Sequence, residues 1–104
     1  MTSARVLIVD DDAAICRLAA RALETIATCD FAGGVDEAIS ALGLRDYDIA
    51  LVDVRLPPDS GMTVLDELRR ISPQTAAVMM SGVGDLSVAR EALAQRSGSA
   101  RVGG

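Results

Sequence analysis

The sequence predicts an α/β domain built on a parallel sheet, and three observations carry that prediction. Four short apolar runs, at residues 5–9, 28–32, 47–53 and 75–80, alternate with stretches whose apolar residues recur at helical spacing. Acids or turn formers follow the runs: Asp10-Asp11-Asp12, Gly33-Gly34, Pro57-Pro58 and Gly82-Val83-Gly84. The first and third runs hold continuous apolar stretches, Val6–Val9 and Ile49–Val52, rather than alternating ones, as strands covered on both faces do. Strands alternating with helices of this length imply parallel pairing and right-handed crossovers, with the working crevice at the carboxyl ends of the strands.

Each element has its own reason. Arg5–Val9 is the first strand, and Asp12 is placed to cap the helix after it. In that helix Ile15, Leu18, Ala19, Ala22, Leu23 and Ile26 form the apolar stripe, with Arg17, Arg21 and Glu24 on the other face. Thr28–Ala32 is the second strand. Val35, Ala38, Ile39 and Leu42 mark the second helix, with Asp36 and Glu37 suited to the positive end of its dipole. Tyr47–Asp53 holds the third strand, and Leu56-Pro57-Pro58-Asp59-Ser60-Gly61 is neither helix nor central strand, hence a loop. Val64, Leu65, Leu68 and Ile71 carry a third helix, which Pro73 stops. Thr75–Met80 is the fourth strand. Leu86, Val88, Ala89, Ala92 and Leu93 carry a fourth helix, and 96–104 (RSGSARVGG) reads as a Gly/Ser-containing tail.

Composition removes whole classes of function. The 104 residues suffice for one core that buries roughly 65% of the unfolded surface, and not for a catalytic and an output domain together. Only 2% of residues are aromatic, so Ala, Val, Leu, Ile and Met must fill that core. All ten basic residues are Arg, and the chain has no His and no Lys. Histidine bases, histidine metal sites, lysine Schiff bases and a lysine-bearing phosphate loop are therefore excluded. A net charge of −5 argues against nucleic acid as a direct partner. No run of 18 apolar residues suggests a membrane span, and Met1–Arg5 does not resemble a signal peptide. Cys16 and Cys29 lie within apolar patterns, so buried, reduced thiols in a cytoplasmic protein are expected.

The acids are the chemical signal. Asp10 and Asp11 leave the first strand and Asp53 leaves the third, two strands expected to be neighbours at the centre of the sheet. Three converging carboxylates repel one another unless a cation joins them. Oxygen donors without His or Cys suit a hard ion such as Mg²⁺. A carboxylate beside that ion can attack phosphorus and become an aspartyl phosphate. The plainer alternative is that Asp10–Asp12 only cap a helix and Asp53 only ends a strand.

The stretches VLIVDDD (6–12), DYDIALVDVRLPPDSG (46–61) and VMMSGVGD (78–85) resemble bacterial two-component response-regulator receiver domains of the chemotaxis-regulator type. The resemblance spans residues 5–95. It implies a flavodoxin-like doubly wound sheet of order 2-1-3-4, an incomplete receiver domain over 1–95 and a tail over 96–104. It also implies that Asp53 is the phosphoacceptor and that Mg²⁺ is held by Asp10, Asp11, Asp53 and the backbone carbonyl of Arg55. Ser81 would be the switch hydroxyl that turns to a phosphoryl oxygen, and Gly82 would leave space beside it. A histidine kinase or phosphotransfer protein would donate the phosphoryl group; Arg17 and Arg21 read first as a solvated helix face and second as a kinase-docking patch. The effect would pass to a downstream protein target. A phosphatase with an aspartate nucleophile would need a second acid two residues on, where Arg55 stands, so no turnover enzyme is expected.

The sequence also departs from the family. The family lysine would fall at Gly103, and Arg101 is the nearest cation. The fifth strand and fifth helix are largely missing. This predicts an open edge on the fourth strand, an uncovered sheet face and a homodimer that hides them. A degenerate receiver, binding partners without phosphorylation, is the second functional reading.

Overall fold

The computed structural model describes residues 4–102, with the backbone alone for Val83 and residues 96–102. The expected alternation is present: β1 (Ala4–Val9), α1 (Ala13–Leu23), β2 (Ala27–Ala32), α2 (Val35–Leu44) and β3 (Ile49–Asp53). A two-residue ladder follows, β4 (Arg55–Leu56) with β5 (Asp59–Ser60), then α3 (Gly61–Ile71), β6 (Ala76–Met80) and α4 (Leu86–Val102). The main sheet runs β2-β1-β3-β6 and all its pairs are parallel, which is the predicted order 2-1-3-4. The proline-bearing loop is closed by β4 and β5, which stay apart from that sheet.

Alternation along β1 and β3 sorts side chains to two cores. Val6, Ile8, Ile49 and Leu51 face one side with Cys16, Ala19 and Leu23 of α1 and Leu86, Ala89 and Leu93 of α4. Leu7, Val9, Ala50 and Val52 face the other with Ala38 and Leu42 of α2 and Val64 and Leu68 of α3. All eight strand residues are fully buried, so the two-sided burial read from the continuous apolar runs is present. The Arg90 guanidinium donates to the Ala22 carbonyl oxygen at 2.6 Å and ties α4 to the end of α1.

Several local expectations are corrected. Leu18 and Val88 were read as stripe residues but are 48% and 54% exposed. The true seams run Cys16–Ala19–Leu23 and Leu86–Ala89–Leu93, and each outlier sits about 100° off its seam. The segment from Arg96, expected to be a tail, continues α4 through Val102. No proline interrupts it, and Ala100 and Arg101 favour helix enough to carry one glycine. Gly103 and Gly104 lie outside the described residues. The sheet face expected to lie open is covered at β1 and β3 by α1 and α4, while β6, with Ala77, Val78 and Met79 half-buried, is an edge among the described strands. Cys16 is buried as expected, but Cys29 is only half-buried, and both are free thiols.

Candidate functional site at the carboxyl ends of the strands

Register brings the acids together. Val9 pairs with Val52, so the next residues along the two strands are Asp10 and Asp53. Asp53 in turn pairs with Met80, and Ser81 follows it. Asp10 remains hydrogen-bonded to the sheet, its N–H donating to the Ala32 carbonyl at 3.0 Å. One oxygen from each of Asp10, Asp11 and Asp53 falls within a cluster no wider than 4.8 Å. Asp12 lies at the rim of the same cavity but is engaged as a cap: its Oδ1 accepts from the N–H groups of Ala14 (2.9 Å) and Ile15 (3.4 Å), the helix cap its position predicts.

The three acids differ in setting. Asp10 is buried, Asp53 half-buried and Asp11 exposed. Burial pushes the Asp10 carboxyl above its ordinary value, and the negative charges of Asp53 and Asp11 push the same way. The Asp12 N–H, donating to Asp10 Oδ1 at 2.9 Å, opposes them. Asp53 Oδ1 accepts from the Arg55 N–H at 3.0 Å, which aims the carboxylate into the crevice.

The loop behind Asp53 explains the spacing to Gly61. Val54 N–H donates to the Met80 carbonyl at 2.9 Å, and Gly61 N–H donates to the Val54 carbonyl at 3.0 Å. The chain therefore folds back onto Asp53. A Cβ on Gly61 would lie 2.1 Å from the Asp53 carbonyl oxygen, so only glycine fits. Ser60 caps α3 through its Oγ, which accepts from the Met62 N–H at 3.2 Å.

These residues line one open cavity of about 370 Å³, which Asp10, Asp11, Asp53, Arg55, Ser81 and Gly82 share. All the predicted site residues thus meet in one place. Gly82 has open space where a Cβ would be, in keeping with the room expected there. Ser81, which lines the cavity, is already engaged: its N–H (2.8 Å) and Oγ–H (3.2 Å) both donate to Asp85 Oδ2. Those bonds hold the Asp85 carboxyl below its ordinary value. Sequence reasoning placed Asp85 with Gly82 and Gly84 at a loop and helix start, and gave it no part in the site. It also missed Asp12, Ile15, Pro57, Met80 and Leu86 as walls, and gave the Arg55 side chain no part in the site.

The donor set fits a hard divalent cation, since it offers only oxygens and the carboxyl of its most buried member is raised by burial and, after that, by its acidic neighbours. Among the described residues no helix is long and apolar enough to cross a membrane.

Comparison with known proteins gives the same picture. The model of the response regulator receiver domain family matches residues 6–98. The acid tolerance regulatory protein ActR of Rhizobium meliloti is 34% identical over 88 residues, covering 84% of this chain and 45% of that protein. The chain spans less than half the length of the curated relatives it matches. A CheY-like receiver domain structure from Methanospirillum hungatei superposes with a TM-score of 0.72 at 25% identity, covering 93% of this chain and 77% of that one. A response regulator structure from Burkholderia pseudomallei, described with a phosphorylated aspartic acid, calcium ion and citrate, shares the fold. Its TM-score is 0.71 at 23% identity, covering 83% of this chain and 52% of that one. A family match across nearly the whole domain, on a sheet that gathers three acids and a serine at its carboxyl edge, makes this chain a member of the response regulator receiver domain family.

Proposed function

We propose that the chain is the phosphoacceptor of a two-component pathway, phosphorylated on Asp53 in an Mg²⁺-dependent step. The observation that carries this reading is the meeting of Asp10, Asp11 and Asp53 within 4.8 Å beside Ser81 and Gly82. Asp10, Asp11, Asp53 and the backbone carbonyl of Arg55 would hold Mg²⁺, which when bound offsets the mutual repulsion of the carboxylates and neutralises phosphoryl oxygens. An Asp53 carboxylate oxygen attacks phosphorus of a phosphohistidine. The O–P bond forms, the P–N bond breaks, and its electron pair stays on the histidine nitrogen, which solvent protonates. The Ser81 hydroxyl then donates to a phosphoryl oxygen, and Gly82 leaves the space.

The donor is a histidine kinase or phosphotransfer protein, met in the cytoplasm, and the effect passes to a protein target. A second copy of the chain at the β6 edge is part of the same reading. Sedimentation that finds only monomer at micromolar concentration sinks that part. The second reading, a receiver that binds partners without phosphorylation, rests on the absence of any lysine ammonium.

Incubation with acetyl phosphate and Mg²⁺, followed by intact-mass analysis, separates the two. The expected result is one added phosphoryl group, lost on chelation and in Asp53→Ala. No adduct at any Mg²⁺ concentration, and no beryllofluoride binding, leaves the phosphorylation-independent reading.

A further inference from the structure

We propose that Asp85 is a positioning residue, a latch that holds Ser81 away from the phosphoacceptor site until a phosphoryl group competes for its hydroxyl. The inference rests on the receiver reading above and names how its switch is held. Ser81 lies one residue beyond the register partner of Asp53 and lines the same cavity. Its backbone N–H and its hydroxyl converge on one carboxylate oxygen of Asp85. A serine hydroxyl has a single proton to donate. Donation to Asp85 and donation to a phosphoryl oxygen on Asp53 therefore exclude each other. The amide bond at 2.8 Å is the firmer of the two; the hydroxyl bond, exposed and 3.2 Å long, holds Ser81 lightly, so a phosphoryl oxygen can compete for it.

The position of Asp85 gives the latch a consequence. Its own N–H donates to the Gly82 carbonyl at 3.1 Å, closing the turn that leads into α4. The next residue, Leu86, opens α4 and is buried in the core beside α1 and β1. Release of the hydroxyl leaves the Ser81 amide bond and the Asp85–Gly82 bond to hold the turn at the point where α4 begins. An ordinary helix-capping role for Asp85 would give none of this dependence on Ser81.

The test measures beryllofluoride affinity in the presence of Mg²⁺ for the wild-type chain, Asp85→Ala, Asp85→Asn, Ser81→Ala and the double variant Ser81→Ala/Asp85→Ala. Circular dichroism melts check folding, and Asp85→Asn keeps a capping carbonyl should Asp85→Ala fold poorly. Asp85→Ala is expected to bind about three- to tenfold tighter, with Asp85→Asn between it and wild type. In the Ser81→Ala background the Asp85 substitution is expected to change nothing. The Ser81 amide resonance should move in wild type on beryllofluoride binding and should already be moved in Asp85→Ala. Unchanged or weaker affinity in folded Asp85 variants, or the same gain without Ser81, overturns the latch alone. Absence of Asp53-dependent binding in every variant overturns the latch and the receiver reading together.

Discussion

Two regions of the sheet treat their acids in opposite ways. Away from the carboxyl edge, Asp30 in the middle of β2 and Asp48 just before β3 both meet donors. Asp30 Oδ2 accepts from the Tyr47 hydroxyl at 2.8 Å and from the Arg5 guanidinium at 3.3 Å, and Arg45 lies 3.9 Å away. Asp48 Oδ2 accepts from the Arg5 N–H at 2.8 Å. There too Ser72 and Thr75 share a hydrogen bond, and Thr75 donates to the Tyr47 carbonyl. At the carboxyl end Asp10, Asp11 and Asp53 chiefly face one another, and the donors among the described residues are backbone N–H groups, that of Asp12 to Asp10 and that of Arg55 to Asp53. One region spends its charges on holding the fold, while the other keeps them uncompensated for a cation and a phosphoryl group. Local conflict is concentrated where the chemistry is proposed.

That contrast can be broken from either side. The largest effect is expected at Gly61→Ala. A methyl group forced against the Asp53 carbonyl should cost about 3 kcal/mol in urea unfolding and displace the acceptor, so that phosphorylation falls even in the fraction that folds. Tyr47→Phe removes one donor from Asp30 and should cost about 1–2 kcal/mol, with phosphorylation unaffected. Loss of phosphorylation in that variant would show that the two regions are coupled.

Asp10→Asn should act in the other direction. The folded carboxyl is raised above its ordinary 3.8, so its contribution to stability is present below that value and lost as pH rises through the folded one. At neutral pH the charge is a net cost. The variant should melt a few degrees higher without metal, yet gain less than wild type from added Mg²⁺. The smallest effect is spectroscopic. Tyr47 is the only tyrosine and there is no tryptophan, so its phenolate absorbance stands alone. Burial first, and the bond to Asp30 second, push its phenol up to about 12. The unfolded phenol ionises near 10, so this contribution is present below pH 10 and lost as pH rises through about 12. A titration midpoint near 10 in the folded protein would mean that in solution Tyr47 is neither buried nor bonded to Asp30.

Much of this was legible before any coordinates. Strands β1 and β3 announce themselves by continuous apolar runs, and Asp10, Asp11 and Asp53 by standing at their ends. The cap at Asp12 follows from its place before a helical stripe. What was not legible depends on geometry that a pattern does not encode. The clash that reserves residue 61 for glycine arises from a loop folding back on Asp53. The bond from Ser81 to Asp85 depends on the path of a short turn. Leu18 and Val88 fit a helical stripe on paper, and only the packing of α1 against α4 decides which neighbouring residue takes the seam. The helix through residue 102 was hidden because Ser and Gly there read as punctuation, although no proline enforces a stop.

The bond from Arg90 to the Ala22 carbonyl turns α4 into a lever with a fulcrum. It pins the first turns of α4 to the last turn of α1, so sliding along the sheet would break it while pivoting about it would not. Leu86 lies about 6 Å along the axis from that point and Val102 about 18 Å on the other side, at 1.5 Å per residue. A shift of the turn beside Ser81 would therefore be magnified about threefold, and reversed in direction, at the far end of the helix.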